Sequence, residues 1–395
     1  MRILQIIPSI SLVYGGPSQV VLELSAALAR EGIKVTAIAT NSNGDTGQKP
    51  LDVPLNVPVP QDGYEIIYFR CTPFRRYKFS LDLLKWLNLQ AHKYDLAHIH
   101  ALFSPISSFA AKICHQQKLP YILRPLGTLD PADLRKKRLL KQLYALILES
   151  ANLANAAAIH FTSPQEAKIS ERFGVSTRDL VIPLGVTPPN KQENHKATIH
   201  TRFAIPANTP LVLFLSRIDP KKGLNLLIPA LEKLLKEGLN FHFVLAGTNP
   251  QNRDYEEKIK LQIYHSPLRE HTTITGFVTG ELKSALLQAA DIFVLPSYYE
   301  NFGVAVAEAM VAGTPVIVSE QVHICQQVQE SESGWVSKLE VSALAKLLRV
   351  ALQNPHECQR RGLRAKEYAL QHYSWDAIAR QMIQVYQQIL LAQQS

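Results

Sequence analysis

Pro296–Gly313 reads PSYYENFGVAVAEAMVAG. A short apolar run precedes it, Asp291–Leu295 (DIFVL), and another follows, Pro315–Ser319 (PVIVS). Both runs have the length and β-branched content of buried parallel strands. The Ala/Val/Met-rich segment between them reads as a buried helix, so the order is that of a βαβ unit. Two glutamates stand in it, Glu300 in the loop and Glu308 in the helix. A carboxylate inside VAVAEAMVA is costly unless it is paired. Glu308 therefore calls for a ligand or a satisfied buried contact.

The same alternation extends in both directions. After this unit come polar or charged helices over 342–351, 355–371 and 375–391. Before it, strands are expected at Leu211–Leu215, Phe241–Ala246 and Thr272–Thr275, with helical patterns between them. Further upstream, Met1–Pro8, Ile33–Thr40, Asp95–His100, Pro120–Leu123, Ala157–Thr162 and Leu180–Pro183 form a second alternating series. Two such halves predict an α/β protein of two doubly wound, Rossmann-like domains facing across a cleft. The boundaries expected are 1–185 for the first domain, 186–207 for a proline-rich linker and 208–372 for the second domain. Residues 373–395 are left for a terminal helix.

Bulk properties narrow the class. At 395 residues the chain suits two domains, and 46% hydrophobic against 19% charged residues is a globular balance. Four scattered cysteines without a C-x-x-C pair fit a reducing compartment and exclude a zinc or disulfide framework. Arg2–Ile7 reads as a core strand rather than a signal peptide, because Gln5 and Pro8 interrupt the apolar run and no cleavage site follows. The longest uncharged stretch, Leu96–Ala111, falls short of the roughly 20 apolar residues of a spanning helix. A cytoplasmic protein is expected, with peripheral contact at the inner membrane face as an option. The net charge of +9 is uneven, with 22 Lys+Arg against 15 Asp+Glu over residues 1–195. A basic first half suits phosphorylated substrates or an anionic membrane; no nucleic-acid reading motif accompanies it.

Several stretches carry candidate chemistry. SRIDPKKG (216–223) places Arg217, Lys222 and a glycine between a strand end and a helix start. It reads either as a surface loop or as a diphosphate site, with a bidentate guanidinium, an ammonium and backbone N–H groups. Gly15-Gly16 ahead of the helix Ser18–Arg30 is either a plain turn or a phosphate approach, and the full G-x-G-x-x-G is absent. His98 and His100, two apart on one strand, face the same way at its carboxyl end. Packing, substrate contact and a metal site missing its third ligand all stay open for them. Arg135–Lys141 (RKKRLLK) holds five cations in seven residues. It is a solvated helix face or a contact for acidic head groups or a phosphorylated acceptor. Arg70–Lys78 (RCTPFRRYK) adds a second basic segment, with Arg75, Arg76 and Lys78.

The loops at 216–223 and 296–303 leave the same edge of one parallel sheet and can share a ligand. Cations for a diphosphate and carboxylates for two polyol ends describe a nucleotide sugar. No D-x-D is present, so the cations rather than a metal are expected to neutralise the leaving group. No metal and no cofactor are expected.

These residues resemble the family 4 retaining glycosyltransferases, the "group 1" transferases of GT-B fold. The E-x7-E motif is Glu300–Glu308, SRIDPKKG is similar to the family's S/G-R-x(3–4)-K-G loop, and Gly15-Gly16 to its N-terminal glycine loop. Tyr373-Ser374-Trp375 resembles the start of the helix that returns to the first domain. The resemblance implies that Arg217 and Lys222 hold the donor diphosphate, Glu308 the ribose and Glu300 hydroxyls of the transferred sugar. Asn301, Phe302 and Gly303 are implied as backbone contacts, Thr275–Val278 with Gly276 and Phe277 as the border of the base, and Gly15 and Gly16 as a phosphate approach. Many relatives carry a histidine where this chain has Leu126, so His100 and Arg124 are the candidates to replace it. The implied reaction moves a sugar, with retention, from a nucleoside diphosphate sugar to a glycan or lipid-linked glycan hydroxyl, in polysaccharide or glycolipid synthesis. The alternatives are another GT-B chemistry, such as nucleotide-sugar epimerisation, and a non-catalytic nucleotide-sugar-binding subunit.

Overall fold

The computed structural model describes residues 1–14, 16–44, 48–72, 77–135, 138–189, 195–250 and 252–393. Two compact units divide the chain: Met1–Gly185 with Trp375–Ser395, and Val186–Ser374.

The first unit is built on an eight-stranded sheet. Its strands are β1 (Arg2–Ser9), β2 (Lys34–Thr40), β3 (Pro58–Pro60), β4 (Glu65–Phe69), β5 (Leu96–His100), β6 (Tyr121–Arg124), β7 (Ala158–Phe161) and β8 (Asp179–Val181). The order is β3-β4-β2-β1-β5-β6-β7-β8, parallel throughout except for the short edge strand β3. Successive residues face opposite sides of a strand. Accordingly Ile6 and Ile38 belong to one apolar layer, and Ile7, Ala37 and Ala39 to another. Helices cover both layers, which is why β1, β2 and β5 are almost continuously buried.

The last helix, Trp375–Ala392, joins this unit rather than the second. It packs along the helix Gly16–Arg30, with Arg30 to Asp376 at 2.9 Å and Arg380 to Glu31 at 3.1 Å on the exposed rim. Its Tyr386 is buried, and the hydroxyl meets His98 Nδ1 at 2.9 Å. Gly185 lies against the Trp375 ring so closely that a Cβ there would overlap it.

The second unit has a six-stranded, all-parallel sheet: β9 (Leu211–Leu215), β10 (His242–Ala246), β11 (Thr272–Gly276), β12 (Ile292–Leu295), β13 (Val316–Ser319) and β14 (Gly334–Ser337). Its order, β11-β10-β9-β12-β13-β14, reverses direction between β9 and β12. Ligands of open α/β sheets bind outside the carboxyl ends of the strands at such a reversal.

Residues 186–207, expected as a linker, belong to the second unit and carry the helix His195–Arg202. Val186, Ile199 and Ile205 are buried there, so a few apolar anchors dock a segment whose composition is that of a loop. The strands β3, β4 and β14 also lie outside the expected set. At Glu65–Phe69 the apolar run is only four residues long, and the tryptophan of β14 sits among Gly, Ser and Lys.

Candidate donor site and its relatives

The reversal point of the second sheet gathers the loops after β9 and β12. The β9 loop runs from Ser216 into a short 3-10 turn, Pro220–Lys222, and then the helix Leu224–Lys236. Asp219 caps the turn, its side chain accepting from Lys221 N. Gly223 links turn to helix at φ +75°, and a Cβ there would overlap the carbonyl oxygen of Pro296. Only glycine combines that backbone conformation with that close approach. Tyr298 N donates to Lys221 O at 2.7 Å, so backbone contacts stitch the β9 loop to the loop after β12.

The β12 loop is pinned on its other side as well. Glu300 N donates to Gln321 O at 3.2 Å, and His323 N to Glu300 O at 3.0 Å. Gly303, at φ +83°, turns the chain into the helix Val304–Ala312. Phe302 is 2% exposed and its ring meets Tyr373 edge-on, centroids 5.3 Å apart, so its side chain is core and only its backbone is available to a ligand. Asn301 accepts a hydrogen bond from the Tyr299 hydroxyl.

Two helix N-termini, at Leu224 and Val304, therefore open at the same reversal with glycine caps and without side-chain capping bonds. Their leading N–H groups and partial positive charge favour an anion. Lys222 and Glu300 form an ion pair between the two loops, their side chains 12% and 22% exposed. Arg217 lies exposed one residue beyond Ser216 at the end of β9. The structure thus brings Arg217, Lys222, Glu300, Asn301, Phe302, Gly303 and Glu308 onto adjacent loops and a helix of one sheet edge.

The partner that Glu308 calls for is Lys283, whose Nζ lies 2.6 Å from Oε1. Lys283 stands in the helix Gly280–Ala289 between β11 and β12. Sequence reading missed it, and the available signal was a cation in a helix packed on the one that carries the costly carboxylate. Gly276 ends β11 at φ +72° and accepts from Gly247 N at 2.8 Å. Phe277, next to it, is 76% exposed. Asn249 ties the β10 loop to the β9 loop through Nδ2 to Ile218 O, 3.1 Å, while its backbone N–H donates to buried Glu256 at 2.6 Å. Neither residue stood out in the sequence.

The remaining candidates are in the first unit. Gly16 starts the helix Gly16–Arg30, and nothing lies within 4 Å of where its Cβ would stand. Gly15, Arg75, Arg76, Lys136 and Lys137 are outside the described residues. His98 and His100 do face one way, with rings stacked at 4.5 Å, but both are wholly buried. His98 bridges Tyr386 and His160, and His100 Nε2 meets Gln5 Oε1 at 2.7 Å. Burial, together with neighbouring histidines and Arg124, holds both rings well below the usual histidine range, so they are neutral. Arg124 is 3% exposed, and burial lowers its pKa to about 10. His98 is tied to the terminal helix through Tyr386, whereas Arg124 Nε and Nη1 and His100 Nδ1 are buried without a hydrogen-bond partner. The nearby pocket, about 240 Å³, is lined instead by Tyr14, Lys78, Phe103 and Leu126 among others. Among the described residues no three His, Cys, Asp or Glu side chains gather as a metal ion needs.

Fold and site define a protein of two parallel-sheet α/β units, with cationic and carboxylate side chains and two helix N-termini gathered at the second sheet's reversal. Residues 15–185 match the family model described as a glycosyl transferase 4-like domain, and residues 195–368 the one described as glycosyl transferases group 1. A D-inositol 3-phosphate glycosyltransferase of Xylanimonas cellulosilytica is 26% identical over 95% of this chain and 92% of its own. Among solved structures, sucrose-phosphate synthase from Thermosynechococcus elongatus superposes with TM-score 0.75 at 23% identity, over 99% of this chain and 100% of that one. Anabaena HepE, in complex with UDP, reaches TM-score 0.78 at 17% identity, over 98% and 100%. The chain belongs to the group 1 glycosyltransferases, with the GT-B fold, and is a nucleotide-sugar-dependent enzyme.

Proposed function

We propose that the protein transfers a sugar, with retention, from a nucleoside diphosphate sugar to a glycan hydroxyl, without a metal. The observation that carries this reading is the Lys222–Glu300 pair at the reversal of the second sheet. In a sugar diphosphate the phosphate oxygens and the sugar hydroxyls are only a few bonds apart. A cation and a carboxylate held side by side match that juxtaposition, with Lys222 turning to the phosphate and Glu300 accepting from the sugar. Arg217 and the two helix N-termini add charge for the diphosphate, which is the task a metal performs elsewhere. Glu308, in the helix that follows, is assigned the ribose diol, and exposed Phe277 the face of the base. The Anabaena relative was solved with UDP, which agrees with a uridine nucleotide as one donor to try first.

Retention is what the resemblance to the retaining family implies, and with no convincing protein nucleophile among the described residues a same-face displacement fits it better than a covalent intermediate. The bond from the anomeric carbon to the phosphate oxygen breaks as the bond to the acceptor oxygen forms on the same face. The acceptor proton passes to the departing phosphate. Charge builds on that phosphate in the transition state, so Arg217 and Lys222 act where it matters most. The first unit, with its pocket at the carboxyl ends of β1 and β5, is assigned the acceptor. Polysaccharide or glycolipid assembly is the setting that the relatives' names support.

The test is the anomeric configuration of the product, read by proton NMR at early times. Donor and product of the same configuration support the reading. An inverted product, or conversion of the donor with no acceptor present, contradicts it.

A further inference from the structure

One helix of the first unit carries a wide apolar stripe on its solvent side. Residues Arg138–Asn155 run continuously helical, with a π-type turn at Ala145–Glu149 in the middle. Its apolar side chains face solvent: Leu139 is 81% exposed, Leu140 68%, Leu143 55%, Leu146 75% and Ile147 64%. At 100° per residue these five fall within an arc of about 120°, the width of an ordinary core-facing stripe. The face turned to the protein carries Ala145, Glu149, Asn152 and Leu153, all buried, with only Leu153 as a large apolar side chain in the core. Glu149 is satisfied there, accepting from Phe103 N and Ser108 Oγ, each at 2.8 Å, so the polar face is the anchored one. Soluble proteins seldom expose so many contiguous leucines without a use for them.

Charge indicates what covers this stripe. Five of the seven residues from Arg135 to Lys141 are Lys or Arg, and no acidic residue occurs between Arg135 and Leu148. An apolar face beside a purely cationic segment matches the interface of an anionic bilayer, where leucines enter the acyl boundary and cations meet the head groups. A second copy of the chain would set this cationic segment against its own like. No helix among the described residues is long and apolar enough to cross a membrane, so the contact is one of lying on the surface. The helix also borders the first unit's pocket: Tyr144 and Lys141 approach the pocket-lining Phe103 ring at 5.9 and 5.6 Å. Leu12 and Val13, 66% and 61% exposed, precede the pocket-lining Tyr14 and add apolar surface near its rim.

We propose that the leucine face Leu139–Ile147 docks the protein on an anionic lipid surface and brings the neighbouring pocket to head-group level. This stands independently of glycosyl transfer. The test is vesicle flotation of the full chain, with phosphatidylcholine alone and with about a third phosphatidylglycerol. The native protein floats with the anionic vesicles and roughly tenfold less with the neutral ones. The triple variant Leu139→Gln, Leu143→Gln, Leu146→Gln loses about a hundredfold or more in partition coefficient. Its circular dichroism and thermal midpoint stay as in the parent, since the three side chains make no core. Equal flotation of parent and variant overturns the proposal. So does a parent that ignores both vesicles, or one that is dimeric by light scattering and becomes monomeric on the triple substitution.

Discussion

Replacing Glu308 with alanine separates two roles that the same carboxylate can play. In the structure it is a partner for Lys283 at 2.6 Å, with the two side chains 17% and 26% exposed. A pair so shielded is worth more than a surface ion pair and less than a fully buried one, about 1–2 kcal/mol. For a unit of this size that lowers the thermal midpoint by roughly 3–6 °C. If Glu308 also holds the donor ribose, its charged hydrogen bonds there add about 2–3 kcal/mol to donor binding, or roughly 30- to 150-fold in Kd. Lys283→Ala breaks the same ion pair and leaves the carboxylate, so it costs a similar drop in midpoint while the donor Kd moves less than about fivefold. Calorimetric titration with the matching nucleoside diphosphate and a thermal scan of both variants supply all four numbers. A Glu308→Ala protein that melts lower yet binds the nucleotide within about twofold of the parent refutes the ribose assignment. Glu308 would then be half of a structural pair and nothing more.

Other outcomes follow from the same geometry. Lys222→Ala is expected to lower kcat by roughly 10²–10³ with stopped-assay nucleotide release as the readout; unchanged kcat and donor affinity remove it from the site. Gly223→Ala forces φ +75° on a side chain that meets the Pro296 carbonyl, so a loss of about 1–3 kcal/mol and of donor binding is expected in denaturant and titration curves. His98, His100 and His160 are buried neutral, the last with its pKa lowered to about 3 by burial. Unfolding lets each take up a proton below its ordinary pKa near 6.5, so stability is full above that and falls as pH drops, by up to about 1.4 kcal/mol per pH unit for each ring. Chemical denaturation between pH 7.5 and 5 checks the slope, and a flat profile contradicts neutral burial. Activity measured in a chelator is expected to match activity with added magnesium or manganese; dependence on either ion shows that the cations do not suffice.

Much of the fold was legible because the central parallel strands are buried on both faces and therefore largely apolar, as in the strands within DIFVL and LVLFL. The Glu300–Glu308 stretch located the site because a carboxylate in an apolar helix needs a reason. What escaped depends on partners distant in the chain. Lys283 is 25 residues from Glu308, and only the folded sheet shows that they meet. The sequence likewise cannot show that His98 bonds Tyr386, 288 residues further on, or that Arg124 is buried with Nε and Nη1 lacking a partner. The helix Arg138–Asn155 announced its cations, while the outward turn of its leucines depends on what Glu149 and Asn152 bond to inside.

The most direct test of the donor site is nucleotide release from a panel of UDP-, GDP- and ADP-sugars, with and without a lipid-linked acceptor mixture, for the native protein and Arg217→Ala. Release from one nucleotide class, dependent on acceptor and lost in Arg217→Ala, is the expected result. Turnover of a donor by Arg217→Ala at the native rate would contradict it, as would donor conversion that needs no acceptor.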